Sequence, residues 1–506
     1  MSDTAQAADH RGLAGRFARG RELSADRIAV RTPQGEVTYA DLHVQALACA
    51  GAIVRTDASV VGVLVGKSLS SYRAVLAGLY SGATVVPLST SFPAARLRRM
   101  IAVAGVDTLV ATDDAGELPA ELSRAGVDIP VVSADADASP LTQPRAVHGS
   151  DIAYILFTSG STGTPKGVPV THDNTAHYFG LLDSRYDFTQ DDVFTQHFDL
   201  NFDCAFFDLF CAWGAGATLA VAGPHDYRDM PAFLERNAVT IWFSTPSAIA
   251  LVRRMGGLTE NSMPSLRWSL FAGEALGMRD ALEWQRAAKN STVENLYGPT
   301  ELTITITAHR LDGEAMQDRT GSVPIGRLHD GHVAVLLTPD GDEDEHEGEL
   351  CIAGPQSAAG YLDSADDAGR FVDHLGRRFY RTGDRVRRAE DGTFDYVGRM
   401  DSQVQVRGVR VELGEVDAAL RTCPGVEDAV TVAVPADGTV ELAVFFTGDA
   451  VPSSALARDL RSILPAAVTP RRFTHLDSFP LNSNRKIDRR ALADRASAPT
   501  PPRTTP

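Results

Sequence analysis

The stretch that most constrains what this chain can fold into is Tyr154-Ile-Leu-Phe157 followed by Thr158-Ser-Gly-Ser-Thr-Gly-Thr-Pro-Lys-Gly167. Strand-forming residues run straight into a loop of hydroxyls and glycines with one proline and one lysine, which is how a strand delivers a loop to a polyanion. Glycines let backbone N–H groups approach closely, hydroxyls add donors, and Lys166 adds a compact positive charge, so the chemistry suggested is phosphate handling. It is not a Walker loop, because Pro165 sits where that pattern needs its second glycine and Gly167 follows the lysine where Ser or Thr is required. The glycine spacing is also wrong for a dinucleotide fingerprint. The competing reading is a flexible surface turn, since Gly, Ser and Thr cluster in many loops that hold nothing.

At 506 residues the chain exceeds one core and predicts two or more domains. Its 48 basic and 65 acidic residues leave a net charge of −17, which argues against a nucleic-acid or anionic-membrane face. Any phosphate must then be held by a local site. The cysteines at 49, 204, 211, 351 and 423 are scattered and form no C-x-x-C pair, which suits a reducing cytosol and no structural zinc. No cationic-then-apolar leader and no apolar run of ~20 residues is present, so neither secretion nor a membrane span is expected.

Residues 1–12 are polar and expected to be disordered. A strand-like triplet at 37–39 leads into helical spacing of Leu42, Ala46 and Leu47; 60–65 and 83–88 read as buried strands and 72–81 as a helix, an alternation that predicts a parallel sheet with crossovers. Residues 87–93 read as a proline-bounded turn. Between 193 and 220, Phe206, Phe207, Leu209, Phe210 and Trp213 keep helical spacing, and Asp199 or Asp203 ahead of them reads on its own as a helix N-cap. Strands are expected at 239–246, 267–275 and 292–297, each ending in a turn, as when ligands lie at the carboxyl ends of a parallel sheet. Glu301 follows the last one; it reads as a solvated carboxylate or, beside a polyphosphate, as a ligand of Mg²⁺. Residues 348–362 read as β-rich, and 402–415 as a hairpin passing into a helix that reaches Arg421. The expected organisation is α/β: a large domain at 13–400 with parallel or mixed sheets, flanking helices and a β-rich part, a small mobile α+β domain at 401–495, and a disordered Pro/Thr-rich tail at 496–506.

Six segments then occur in a telling order: the 158–167 loop, Tyr297-Gly-Pro-Thr-Glu301, Tyr380-Arg-Thr-Gly-Asp384, Gly398-Arg-Met-Asp401, the 402–415 hairpin and Asn484-Arg-Lys-Ile-Asp488. In order and spacing they resemble the adenylate-forming superfamily over residues 25–492. The resemblance is closest to the amino-acid adenylation domains of nonribosomal peptide synthesis and to free-standing D-alanine:carrier-protein and prolyl-type ligases of natural-product pathways. It implies ATP and Mg²⁺, an aminoacyl-adenylate with release of pyrophosphate, and transfer to a phosphopantetheine thiol. It also implies roles. Thr158, Ser159, Gly160, Ser161, Thr162, Gly163 and Lys166 would hold the β- and γ-phosphates, Thr300 the α-phosphate and Glu301 the Mg²⁺. Gly273, Glu274, Ala275, Asn295 and Tyr297 would line the adenine, Asp384 would take the ribose hydroxyls with Arg399 nearby, and Lys486 would reach the reacting carboxylate. Asp401 would be a hinge and Gly408 would let the pantetheine arm pass.

By the same resemblance Asp203 pairs with the substrate's α-ammonium, and Cys204, Phe207, Phe243, Leu270, Ala272, Leu296, Ile304 and Thr305 line the pocket around it. No second charge is among them, so a small neutral amino acid is expected, alanine first, with serine, glycine, proline or a short branched residue behind. Gln405, Arg485 and Ala359 depart from the usual pattern, and the first two bear on local loop geometry and small-domain contacts. No carrier segment with an attachment serine follows the small domain, so the acceptor is expected to be a separate phosphopantetheinylated carrier protein. An acid–CoA or amide-forming ligase using the same adenylate, and a catalytically silent nucleotide-binding scaffold, are the alternatives.

Overall fold

Valine-rich runs alternating with helices build the first part of the chain. The computed structural model describes residues 12–136, 138–159, 165–223, 225–311, 321–374, 376–400, 403–436, 439–480 and 487–497. They fall into two compact units, the larger drawn from Met1–Thr90, Leu97–Thr158 and Lys166–Met400, the smaller from Ser91–Arg96, Ser159–Pro165 and Asp401–Pro506.

After a helix at Leu13–Ser24, strands β1 (Ile28–Thr32) and β2 (Gly35–Thr38) form a hairpin. The chain then lays down β3 (Val60–Val65), β4 (Thr84–Ser89), β5 (Thr108–Ala111), β6 (Val131–Ser133), β7 (Ile152–Thr158) and β8 (Lys166–Thr171). These make a sheet of order β6-β5-β3-β4-β7-β8, parallel except for the β7–β8 pair. The helix expected at 72–81 is Leu69–Tyr80. Two differences concern proline. Pro87, where the strand expected at 83–88 and the turn expected at 87–93 overlap, lies within β4; that strand meets β7 only at Val85–Tyr154, so a residue without an N–H is tolerated beyond that point. The 158–167 loop is followed by a strand no sequence pattern announced, because Pro169 interrupts it. On the outermost strand of the sheet a missing N–H costs little, and Thr158 and Lys166 face each other across the hairpin.

Strands β9 (Val193–Gln196), β10 (Thr218–Val221), β11 (Ile241–Ser244), β12 (Trp268–Phe271), β13 (Thr292–Tyr297), β14 (Thr307–Arg310) and β15 (Arg327–Leu328) join the first hairpin in a nine-stranded sheet, order β15-β14-β13-β12-β11-β9-β10-β1-β2. β9 through β13 are mutually parallel, so their carboxyl ends lie along one edge. A third, antiparallel sheet holds β16 (Val333–Leu337), β17 (Glu343–Asp344), β18 (Glu347–Ala353), β19 (Phe371–His374), β20 (Arg377–Arg388) and β21 (Phe394–Arg399). The helix Asp203–Ala215 is buried along most of its length rather than on one face, Asp208 included. Burial pushes the Asp208 carboxyl well above the usual range, against a smaller pull downward from Lys67.

The smaller unit is α+β. The hairpin β22 (Gln403–Val406) and β23 (Val409–Glu412) precedes a helix at Leu413–Arg421 and a three-stranded sheet of β24 (Val426–Ala436), β25 (Thr439–Gly448) and β26 (Arg472–His475). Its last helix, Arg489–Ser497, includes Ala496, which is buried; the irregular tail expected from that residue does not begin there. Among the described residues no helix is long and apolar enough to cross a membrane.

The helix Leu13–Ser24 lies so close to Asp203–Ala215 that a Cβ on Gly20 would sit 1.7 Å from the Trp213 carbonyl oxygen. Ala normally stabilises a helix interior by about 0.5–1 kcal/mol over Gly. Here overpacking outweighs that gain, and Gly20→Ala is expected to destabilise the large unit by about 1–3 kcal/mol in urea unfolding.

Candidate active site

The carboxyl ends of β9, β11, β12 and β13 bring together residues that are far apart in sequence. Asp203 opens the helix that follows β9, but it is not that helix's cap; Phe202 is, and makes no side-chain cap bond. Lying in the first turn, the carboxyl is favoured by the helix dipole. It accepts hydrogen bonds from the Thr300 hydroxyl and from the backbone N–H and thiol of Cys204. Burial outweighs these donors and pushes it up to about 6, with a smaller push from Glu301.

Glu301 lies in the short turn Thr300–Leu302 and is 1% exposed. Tyr361 Oη donates to its Oε1 at 2.5 Å. Lys166 Nζ stands 5.1 Å from the centre of the same tyrosine ring and 3.2 Å from Asp366 Oδ1. The lysine of the signature loop and the candidate metal carboxylate are thus joined through Tyr361. The glycine after that lysine also has a reason. A Cβ on Gly167 would lie 2.5 Å from Leu362 Cδ1, and the Gly167 carbonyl accepts from the Leu362 N–H at 2.9 Å.

Asp384 on β20 is gripped on both sides. Tyr297 Oη donates to its Oδ2 at 2.6 Å, and Arg399 Nη1, directly across the β20–β21 ladder, reaches its Oδ1 at 2.9 Å. Asn295 lies on β13 beside the end of β12, with its Nδ2 already donating to the Pro324 and Val323 carbonyls at 2.9 and 3.3 Å. Gly273, Glu274 and Ala275 follow β12; Gly273 takes a φ of +87°, and Glu274 Oε2 accepts from the Ser247 N–H at 2.8 Å.

Cys204, Phe207, Phe243, Leu270, Ala272, Leu296 and Ile304 belong to one buried cluster, with the Phe207 and Phe243 rings 4.6 Å apart. Thr305 is buried and its hydroxyl pairs with Tyr178 Oη at 2.8 Å. Phe198 adds a ring 5.0 Å from Phe243. Thr303 and Ile304 take φ values of +57° and +71°, a region β-branched residues avoid. No sequence signal marked Tyr178 or Phe198, and Tyr361 had only an indirect cue, standing two residues after the altered Ala359.

Thr158 ends β7 and Ser159 follows it, while Gly160, Ser161, Thr162, Gly163, Asp401 and Lys486 lie outside the described residues. Gly408, in the smaller unit, is the second residue of the two-residue turn joining β22 to β23, with Arg407 and Gly408 at φ values of +51° and +80°.

A family model described as AMP-binding enzyme matches residues 17–362, and the chain belongs to that family of adenylate-forming enzymes. It is 35% identical over 357 residues to the L-proline--[L-prolyl-carrier protein] ligase of Pseudomonas fluorescens, covering 69% of each chain. It is 30% identical to the hybrid PKS-NRPS synthetase pyvA of Aspergillus violaceofuscus over 95% of its own length, but spans only 14% of that protein. Among solved structures it is similar to IdnL7, at 49% identity and a TM-score of 0.75, covering 96% of this chain and 99% of that one. It is also similar to the Vibrio cholerae adenylation domain AlmE in complex with glycyl-adenosine-5'-phosphate, at 26% identity and a TM-score of 0.83, covering 98% and 99%. The fold is that of an adenylation domain.

Removing the Tyr361 hydroxyl takes a donor from a carboxylate with almost no access to water. Tyr361→Phe is therefore expected to cost about 1–3 kcal/mol of stability in urea unfolding; an unchanged midpoint would mean the hydroxyl is not Glu301's partner.

Proposed function

We propose that this chain activates a small neutral amino acid, alanine first, as an aminoacyl-adenylate and passes it to the phosphopantetheine thiol of a separate carrier protein. The observation that carries this reading is Asp203: a partly buried carboxyl, raised to about 6 by its surroundings, beside a cluster of apolar side chains and matched in chemistry by one ammonium group. The prolyl-carrier ligase and the glycyl-adenylate complex among the relatives support it.

In the first step an oxygen of the substrate carboxylate attacks the α-phosphorus of ATP, the bond to the bridging oxygen breaks, and pyrophosphate leaves with that electron pair. Charge develops on phosphate oxygens, so the protein's part is positioning and electrostatic stabilisation. Asp203 grips the ammonium and aims the carboxylate. Thr300, bonded to Asp203, stands between the amine and the α-phosphate. The Thr158–Lys166 loop supplies donors and a cation to the outer phosphates, and Asp384 takes the ribose hydroxyls. The Glu301 carboxylate, oriented by Tyr361, suits a hard cation bound jointly with phosphates. Mg²⁺ there would neutralise charge on the phosphate oxygens. Lys486 would stabilise the pentavalent centre. In the second step the thiol sulfur attacks the acyl carbon and AMP leaves.

A panel of acids in ATP–pyrophosphate exchange is expected to peak at a small neutral amino acid; a peak at an aryl acid would remove the role given to Asp203. The pH dependence has a definite sign. Asp203 carries charge only above about 6, while the substrate amine stays protonated through neutrality. Below that value kcat/KM for the amino acid should fall about tenfold per pH unit, with a plateau above it.

The two half-reactions should also separate. Lys486→Ala is expected to lower adenylation by about 100-fold or more while sparing transfer from preformed adenylate, and Gly408→Leu to do the reverse. Free coenzyme A or amines turned over in preference to a carrier thiol would favour the acid–CoA or amide-forming alternative.

A further inference from the structure

Gln356 touches none of the groups assigned a chemical role, yet it is wholly buried beside them. Its Nε2 donates to the carbonyls of Leu302, Thr303 and Thr305 at 3.1, 3.2 and 2.8 Å. Its own carbonyl accepts from Thr303 Oγ1 at 2.7 Å, and two residues on the Ala358 N–H donates to the Glu301 carbonyl at 2.8 Å. The segment 301–305 is thus tied along its length to 356–358.

That segment would not hold its shape unaided. Thr303 and Ile304 are consecutive β-branched residues in the left-handed region, which glycine enters freely and they do not. Gln356, by contrast, is fixed from outside. Asn174 Nδ2, at the start of the helix His172–Arg185, donates to the Pro355 carbonyl at 2.6 Å and to that of Ser357 at 3.4 Å. His332 Nε2 accepts from the Gln356 N–H at 3.2 Å, while its Nδ1 lies 3.0 Å from the Asp330 carbonyl. One nitrogen accepting and the other donating requires a neutral ring, and burial keeps His332 below the usual histidine range.

We propose that Gln356 is a positioning residue for substrate selectivity: its amide holds the strained Thr303-Ile304 backbone so that Ile304 and Thr305 form the far wall of the amino-acid pocket. The inference rests on the assignment of that pocket in the proposed function. Without the clamp the backbone relaxes towards negative φ, Ile304 leaves the wall, and larger side chains are admitted.

Gln356→Met keeps the volume and removes both donors. In ATP–pyrophosphate exchange, the ratio of kcat/KM for the preferred amino acid to that for valine or leucine should fall about tenfold or more, with the KM for ATP unchanged. Glycine takes the Thr303 conformation without strain, so adding Thr303→Gly should restore most of the ratio. Equal loss of rate for every amino acid, an unchanged ratio, or failure of Thr303→Gly to restore it would each overturn the clamp. If Gln356→Met does not fold, Gln356→Asn, whose shorter amide cannot reach all three carbonyls, is read by the same ratio. A wild-type chain with no amino-acid preference would overturn the functional reading itself, whereas a preference that survives Gln356→Met overturns only the clamp.

Discussion

A carboxyl group partly buried where four parallel strands end is the constraint on which this candidate site depends. Placing Asp203 there is unfavourable for its charged form, and three hydrogen-bond donors do not fully offset the loss of water. Burial therefore pushes the group up to about 6. On the proposed reading, a ligand ammonium would supply the missing counter-charge, and binding would relieve a cost built into the fold. An acid without an amine would leave that carboxyl as it was, and this difference is what the proposed preference for amino acids over fatty or aryl acids rests on.

The nucleotide side is built differently. Asp384 is already satisfied from both flanks, by Tyr297 of the nine-stranded sheet and by Arg399 of the antiparallel one. Its geometry requires both sheets, whereas the pocket around Asp203 draws on the nine-stranded sheet and the helix it feeds. Lys166 and Glu301 meet through Tyr361, from a loop after β18, so the phosphate region too is assembled from separate parts of the large unit.

How much of this was legible in the sequence depends on whether a residue's partner is local. The parallel strands β3, β4, β11, β12 and β13, the helix after β9 and the 402–421 hairpin-to-helix passage were readable because periodicity and Gly/Pro punctuation are local signals, whereas β5, β6, β9 and β10 were not read as strands. The strand Lys166–Thr171 was not, because Pro169 hides an alternation that is tolerable only at a sheet edge, and edges are a property of topology. Asp203 was found through its flanking motif, while spacing alone pointed to a helix cap. Tyr178, Tyr361 and Gln356 had no such route. Each acts on a residue tens of positions away, such as Thr305 or Glu301, and nothing in one sequence couples them.

The short turn from Thr300 to Thr305 shows why these distant partners matter. Its first residue favours the charged form of Asp203, its second is the candidate metal carboxylate, and its last two are buried beside the apolar cluster proposed to hold the substrate, so any shift would be felt at all three places. Two β-branched residues at positive φ cost on the order of 1–3 kcal/mol each. Burial of Leu302, Ile304 and Ile306, each at most 1% exposed, contributes roughly 1.5–3 kcal/mol apiece and outweighs that strain. Burial alone does not select this backbone path, since a relaxed turn could bury the same side chains. Directional bonds from Gln356 can make that selection, and the site's geometry is then specified by an amide that no substrate touches.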